Sequence, residues 1–402
     1  MSDMNRRSFF RHVGAGGLVA ATWPAWGAES GKPQTPPSPV AFTTAPSLQY
    51  PSATGVTVAV GVNRPSTAWI EYGPTEQLGS LATGSQHGLN PFDAIAHRVR
   101  LEELRPGQRY FYRVCACPVD FHTAYDIRRG DPVATGVFQF RTLDPEAAQA
   151  RFVVWNDTHE NAASLGQLAK LTPLLTPDFL VWNGDVANDN YREERMVEHY
   201  LGAGGQPFAR ETPLFFARGN HEARGPAARS LPRFLEPPGG RFYYSFRQGP
   251  LAGVVLDAGE DKPDTEKVYA GLGDFVAYRR EQTAWLEAEL KKPHLRQARF
   301  RVAFCHIPFW WKDQNVFGDP TDPRSAWHRL LAEAKFTAVI SGHTHQHGFF
   351  PPDRNRPYAQ MVGGSPKPEA ATLIHGVVTA KELTLRMTAL DGRELAAWNV
   401  KR

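Results

Sequence analysis

Five apolar runs of strand length beyond residue 150 of this 402-residue chain each end in polar residues drawn from Asp, Asn, His and Gly, and that pattern restricts the fold more than any other feature. Arg151-Phe152-Val153-Val154-Trp155 runs into Asn156-Asp157-Thr158-His159, and Phe179-Leu180-Val181-Trp182 into Asn183-Gly184-Asp185. Leu214-Phe215-Phe216-Ala217-Arg218 precedes Gly219-Asn220-His221-Glu222. Phe300 through Cys305 precedes His306, and Ala338-Val339-Ile340-Ser341 precedes Gly342-His343-Thr344-His345. Runs this apolar read as buried strands. Between them, segments such as residues 280–290 repeat apolar side chains at helical spacing, so residues 150–402 are expected to form an α/β domain. Sheets of that class place ligand sites just beyond the carboxyl ends of their strands.

Singly, each polar cluster has an ordinary explanation, because Asp, Asn and His commonly cap helices or close turns. Together they form an ordered set of donors, with glycines where the chain must bend sharply. Two Asp, one Asn and four His, with no Cys among them, suit Zn, Mn or Fe rather than calcium or a sulfur cluster. Seven donors exceed the needs of one four- to six-coordinate ion but suit two ions sharing a carboxylate. Such a pair activates water and clamps the attacking and leaving oxygens of a phosphoryl group.

The first half reads differently. Pro33, Pro36, Pro37 and Pro39 make residues 31–40 an extended leader, and residues 41–144 then alternate in short strand-like segments with Gly and Pro turns. An all-β sandwich is expected there, with a boundary near Asp144-Pro145-Glu146 and no chemistry-bearing cluster. The strand alternation of Leu383-Thr384-Leu385-Arg386-Met387, followed by the turn signal Asp391-Gly392, predicts a further sheet segment at the carboxyl end. Cys115, Cys117 and Cys305 are too few and too poorly spaced for a disulfide framework and read as buried thiols. A net charge of +4 argues against a nucleic-acid-binding domain. No run reaches the ~20 apolar residues of a membrane span. Oligomeric state is not legible.

Asn5-Arg6-Arg7-Ser8-Phe9-Phe10-Arg11, followed by the short glycine-rich stretch 14–21, resembles a twin-arginine export signal over residues 1–30. That resemblance implies a periplasmic or secreted protein. Leu101 through Tyr110 resembles the turn-to-strand segment of fibronectin type III domains. The series Asp-x-His, Gly-Asp, Gly-Asn-His-Glu, His and Gly-His-x-His resembles the calcineurin-like metallophosphoesterase superfamily. Its front domain, the Gln282/Trp285/Leu286 helix and Leu256-Asp257-Ala258-Gly259-Glu260 are similar to the purple acid phosphatase branch.

The resemblance implies two central sheets flanked by helices, and it implies roles. Asp157, His159 and His345 would bind one metal, Asn220, His306 and His343 the other, and Asp185 would bridge them. A hydroxide held between the metals would be the nucleophile and His221 the acid. Glu222 would orient His221 or cap a helix, and Arg218 and Arg224 would hold phosphate oxygens. Two departures stand out. The tyrosine that gives purple acid phosphatases their colour is replaced by Asn188, and His159 adds a ligand that branch lacks, so a colourless protein is expected. Asn188 also replaces the aspartate of the His–Asp pair of protein Ser/Thr phosphatases. The expected activity is phosphomonoester hydrolysis of a small molecule. The alternatives are a phosphodiesterase acting on nucleotides or lipid head groups, and a non-catalytic binding or adhesion module.

Overall fold

Phe, Val, Ile and Trp dominate the five runs, and side chains of this shape fit a pleated surface covered on both faces. In the computed structural model, which describes residues 37–312 and 314–402, all five are strands. Residues 1–36, on which the expected export signal and most of the proline leader fall, lie outside the described residues. Gln149–Trp155 runs parallel to Phe179–Asn183, which runs parallel to Leu214–Ala217. On its other edge Gln149–Trp155 pairs antiparallel with Thr372–Thr379, and Glu382–Ala389 and Glu394–Lys401 complete that side. The carboxyl-terminal segment thus forms two strands joined through the Asp391-Gly392 turn.

A second sheet is built on Leu251–Leu256, Phe300–Cys305, Ala338–Ser341 and Ala359–Val362, all parallel in that order. Its edges are the antiparallel strands Tyr244–Gln248 and Gly348–Phe350. Aromatic side chains join the two sheets: Phe215 stacks on Phe246 at 4.0 Å between centroids, and Phe152 meets Phe304 edge-on at 5.7 Å. Burying rings of this size supplies most of the adhesion between the layers.

Helices cover the outer faces. Ala162–Leu171 starts at Asn161, whose side-chain oxygen accepts from the Ala163 and Ser164 amides. Helix Phe275–Glu289 buries Leu286, and its Gln282 clamps Asp257 by accepting from that residue's amide and donating to its carbonyl, at 2.8 and 2.7 Å. Asp257 follows directly on a strand of the second sheet, so this clamp fixes one loop beside the strand ends.

Residues 47–141 contain strands and no helix. The 18-residue strand Val56–Gly73 pairs with Ser47–Gln49 and Ala94–Leu101 in its first half, and with Ser80–Thr83 and Arg109–Cys117 in its second. A shift of register between Gly61 and Ser66 separates the halves, so one strand serves two layers over a core that includes Leu48, Val58, Ile70, Val99 and Tyr112. This segment joins the rest through its edge. Gln49 pairs in parallel with Leu214, and the Tyr112 hydroxyl donates to the Arg210 carbonyl at 2.6 Å. Cys115, Cys117 and Cys305 are buried free thiols.

Candidate metal centre

The two sheets aim their parallel strands the same way, so the polar clusters at their carboxyl ends meet. Asp157, His159, Asp185 and His345 form one group of donors, and Asp185, His306 and His343 a second. In each group the donor atoms lie within 4.8 Å of one another, and Asp185 belongs to both. Asn220 joins the second group, its Oδ1 2.9 Å from His343 Nδ1. All seven residues singled out from the sequence as ligands are therefore brought together.

The backbone is bent hard to achieve this. Fifteen non-glycine residues among those described have positive φ, and Asp157, His159, Asp185, His343 and His345 are five of them. Each costs on the order of 1–3 kcal/mol, a strain that surrounding structure must hold in place. Gly184 (φ 86°) could carry no side chain, because a Cβ there would lie 2.6 Å from the His306 ring. Gly219 is constrained in the same way by Asp185, whose Oδ1 would be 2.4 Å from such a Cβ.

The donors are arranged for cations. The amide of His343 donates to Asp157 Oδ1 at 2.8 Å, and the amide of His221 to Asp185 Oδ1 at 3.0 Å. His306 Nδ1 donates to the Asn183 carbonyl at 2.8 Å, which leaves Nε2 as the free nitrogen. That buried Nε2 has no hydrogen-bond partner, yet it faces Asp185 Oδ2 at 3.1 Å and Asp157 Oδ1 at 3.8 Å. His159 Nε2 lies 3.0 Å from His345 Nε2 and 3.5 Å from Asp185 Oδ2, and His345 Nε2 lies 3.6 Å from Asp157 Oδ1. Two donors held ~2.0–2.2 Å from one ion, at octahedral or tetrahedral angles, sit roughly 2.8–3.6 Å apart. All the observed separations but the 3.8 Å between His306 and Asp157 fall in that span.

The electrostatics agree. Burial pushes the Asp157 carboxyl up to about 8, and the Asp185 carboxylate adds to that shift. Burial opposes a charge on His306, yet Asp185 and Asp157 hold it up to about 10. Asp185 itself is held below the carboxylate range against its own burial, by His306 first and then His221 and His159. In the absence of a cation, a proton on His306 thus balances the Asp185 carboxylate. The residues present fit two metal ions, and Asp and His side chains are placed to bind both.

The remaining residues named from the sequence sit at the rim. His221 Nδ1 donates to the Asn188 carbonyl at 2.7 Å, and its Nε2 lies 3.9 Å from Asp185 Oδ2. Glu222 makes no bond to that ring. Its fully buried carboxylate accepts from the amides of Asp185, Val186 and Gly219 at 2.9, 2.8 and 2.7 Å, tying the Asp185 loop to the Asn220 loop. Arg218 is packed between the Phe242 and Tyr278 rings with its Nε 2.7 Å from Asp257 Oδ2. Arg224 forms a two-pronged pair with buried Glu260, 2.9 Å at each contact, and turns Nη1 to within 2.9 Å of His221 Nε2. Neither guanidinium is free of a carboxylate partner. Phe309 belongs to the core, and His347 is exposed.

Sequence reasoning passed over the constructive role of Asn188 and treated it only as a departure. Its Oδ1 lies 3.1 Å from His159 Nδ1 while its carbonyl takes the His221 proton. The one available signal was its position three residues after Asp185.

Residues 150–347 match the calcineurin-like phosphoesterase family. Among curated proteins, the chain is similar to those of Arabidopsis thaliana named probable purple acid phosphatase 20 (24% identical over 310 residues, 72% of this chain) and purple acid phosphatase 21 (24% over 277 residues, 65% of this chain). The matched stretches span 67% and 54% of those two relatives. Among solved structures, the fold resembles purple acid phosphatase PPD1 from yellow lupin (Lupinus luteus) seeds, with TM-score 0.65 and 15% identity over 89% of this chain and 75% of that one. It also resembles PhoD, with TM-score 0.59 and 14% identity over 90% of this chain and 89% of that one. With a match to the calcineurin-like phosphoesterase family over residues 150–347 and Asp and His side chains placed to bind two metal ions, the protein is a metal-dependent phosphoester hydrolase.

Proposed function

We propose that the protein is an exported phosphomonoesterase working on small organic phosphates, with Asp157, His159 and His345 holding one ion, Asn220, His306 and His343 the other, and Asp185 shared. The observation that carries this reading is that Asp185 belongs to both donor groups while His221 stands beside it. Two bound ions supply an activated water and neutralise the phosphoryl oxygens. The chain's own residues do the rest. Asn188 holds the His221 ring by Nδ1, so Nε2 is the nitrogen that meets the leaving oxygen and, with the imidazole doubly protonated, donates its proton to it and is left neutral. Glu222 keeps the Asp185 and Asn220 loops in register by gripping three main-chain amides. Arg224, anchored by Glu260, covers His221 Nε2 until substrate takes that place.

The nitrogen and oxygen donor set suits Fe, Mn or Zn. Because Asn188 offers no phenolate, the iron-loaded protein is expected to show no visible charge-transfer band. We read residues 41–144 as a fibronectin type III-like sandwich and residues 1–30 as a twin-arginine signal. Cell fractionation with Arg6 and Arg7 replaced by Lys tests the export reading, which predicts that the protein then stays in the cytoplasm.

The test of function compares hydrolysis of 4-nitrophenyl phosphate with that of bis(4-nitrophenyl) phosphate by the metal-loaded protein and by Asp185→Asn. Monoester preference lost in the variant supports the reading. Diester preference moves the assignment to a phosphodiesterase, for which a 360 Å³ cavity beyond Asn188, bordered by Glu160, Tyr191 and Arg195, would seat a second ester arm. Absence of turnover with two metals bound overturns both and leaves a binding module.

A further inference from the structure

A cavity of about 660 Å³ is walled in part by Arg224, whose Nη1 on the other side lies 2.9 Å from His221 Nε2. Its volume suits an organic group and is far larger than a phosphate needs. An acid that protonates a leaving oxygen must stand on the leaving group's side of phosphorus, so the groove next to His221 lies where that group would project.

The lining is apolar along one wall. Val268 and Leu272 stand 62% and 70% exposed on the loop before helix Phe275–Glu289, and Tyr269 meets Phe275 edge-on at 5.8 Å behind them. Side chains of this size are left in water at a cost that an apolar ligand would remove. The Tyr269 hydroxyl is buried with no hydrogen-bond partner.

The charges decide which ligand fits. Four cations line the groove, but three are already matched: Arg218 with Asp257 at 2.7 Å, Arg224 with Glu260 at 2.9 Å, and Lys262 with Asp261 at 2.8 Å. The fourth, Arg229, is exposed and has no ion-pair partner among the described residues, and Asp274 on the same lining is likewise unpaired with opposite sign. The groove therefore offers no surplus positive charge to a second anionic group, as a polyphosphate chain or a bisphosphate would require.

We infer that this groove is the leaving-group subsite and that it selects phosphate esters of bulky, uncharged apolar alcohols, aromatic rings in particular, over nucleotides and other polyanions. The inference rests on the hydrolase reading given above and adds the substrate class to it.

The experiment compares phenyl phosphate, 2-naphthyl phosphate and 6-sulfo-2-naphthyl phosphate, alongside fluorescence titration of free 2-naphthol into the protein. Burying the second ring is expected to raise kcat/KM about tenfold from phenyl to naphthyl, mostly through KM, while the sulfonate adds nothing. The Val268→Ser/Leu272→Ser double variant should lose that tenfold and weaken 2-naphthol binding by a similar factor, with kcat/KM for phenyl phosphate falling less. Equal kcat/KM for phenyl and naphthyl esters, a gain from the sulfonate, or naphthol binding indifferent to the double variant overturns the inference while hydrolysis stands. Naphthol binding that depends on Leu272 and Val268 in a protein that turns over none of the esters upholds the groove and overturns the hydrolase reading instead.

Discussion

Asn188 Oδ1 lies 3.1 Å from Nδ1 of His159, and the same residue's carbonyl takes the Nδ1 proton of His221 at 2.7 Å. One residue thus fixes which nitrogen each of two neighbouring imidazoles presents, with the Asn188 amide itself donating to Glu160 at 3.0 Å. The His221 bond is to main chain and survives substitution, whereas the His159 bond does not. Asn188→Leu is expected to weaken the metal site containing His159 by ~10–100-fold, since support of a ligating imidazole is worth about that much. Asn188→Asp should retain tight binding. Chelator competition monitored by metal analysis reads both, and equal affinity in Asn188→Leu would remove the orienting role.

Glu222 distinguishes an anchor from an acid. Its carboxylate accepts three charge-assisted bonds from main-chain amides, in full burial. Glu222→Gln turns an amide donor toward those donors, so unfolding free energy should fall by roughly 2–4 kcal/mol and metal content should drop with it. Urea denaturation and metal analysis check this. A variant of native stability and full metal content that has lost only kcat would assign Glu222 to the chemistry.

Metal removal should lower stability, because the buried carboxylates and strained loops lose the cations that hold them. With free metal at a hundred times Kd the native state gains about 2.7 kcal/mol, so melting temperature should climb by a few degrees from chelated to loaded protein. Asp185→Asn, lacking the shared carboxylate, should show a smaller rise. Calorimetry with and without chelator gives both numbers.

Acid sensitivity is expected from a site remote from the metals. His97 lies on the strand Ala94–Leu101, 4% exposed, with Nε2 3.0 Å from the Ser66 hydroxyl. Burial holds its pKa down to about 4 against an ordinary 6.5. The unfolded chain therefore takes up the proton first as pH falls. The stability is complete above pH 6.5, is lost between there and about pH 4, and amounts to ~3 kcal/mol. His97→Gln should remove one proton's worth of slope from the stability–pH curve in that window. An unchanged slope would mean His97 is protonated in the folded protein.

The order of the elements and the donor inventory were legible because both are local properties of the chain. Apolar runs of four to six residues state strands, and a polar residue on the last position of a buried run has nowhere to go but a loop at the sheet's edge. That logic placed Asp157, His159, Asp185, Asn220, His306, His343 and His345 at strand ends as candidate donors without any three-dimensional information. It did not reach Asn188, because a side chain one turn beyond a loop has no periodic signature. It also left Glu222, Arg218 and Arg224 open, since one carboxylate or guanidinium serves an amide, an ion pair or a phosphate equally well on paper. The buried partners Asp257, Glu260 and the amides of Gly219 and Val186 decide among these, and all but Gly219 come from loops more than thirty residues away in the chain.

The sequence by itself determined the α/β alternation, the strand ends and the kinds of donor at them, because hydrophobic periodicity and ligand chemistry are carried by each segment alone. Tertiary structure decided which nitrogen each histidine presents, which charges are neutralised before any substrate arrives, and that Val268 and Leu272 border a groove beside His221. These are relations between side chains brought within 3–5 Å by packing, and free energy at that range depends on distance and burial rather than on order along the chain.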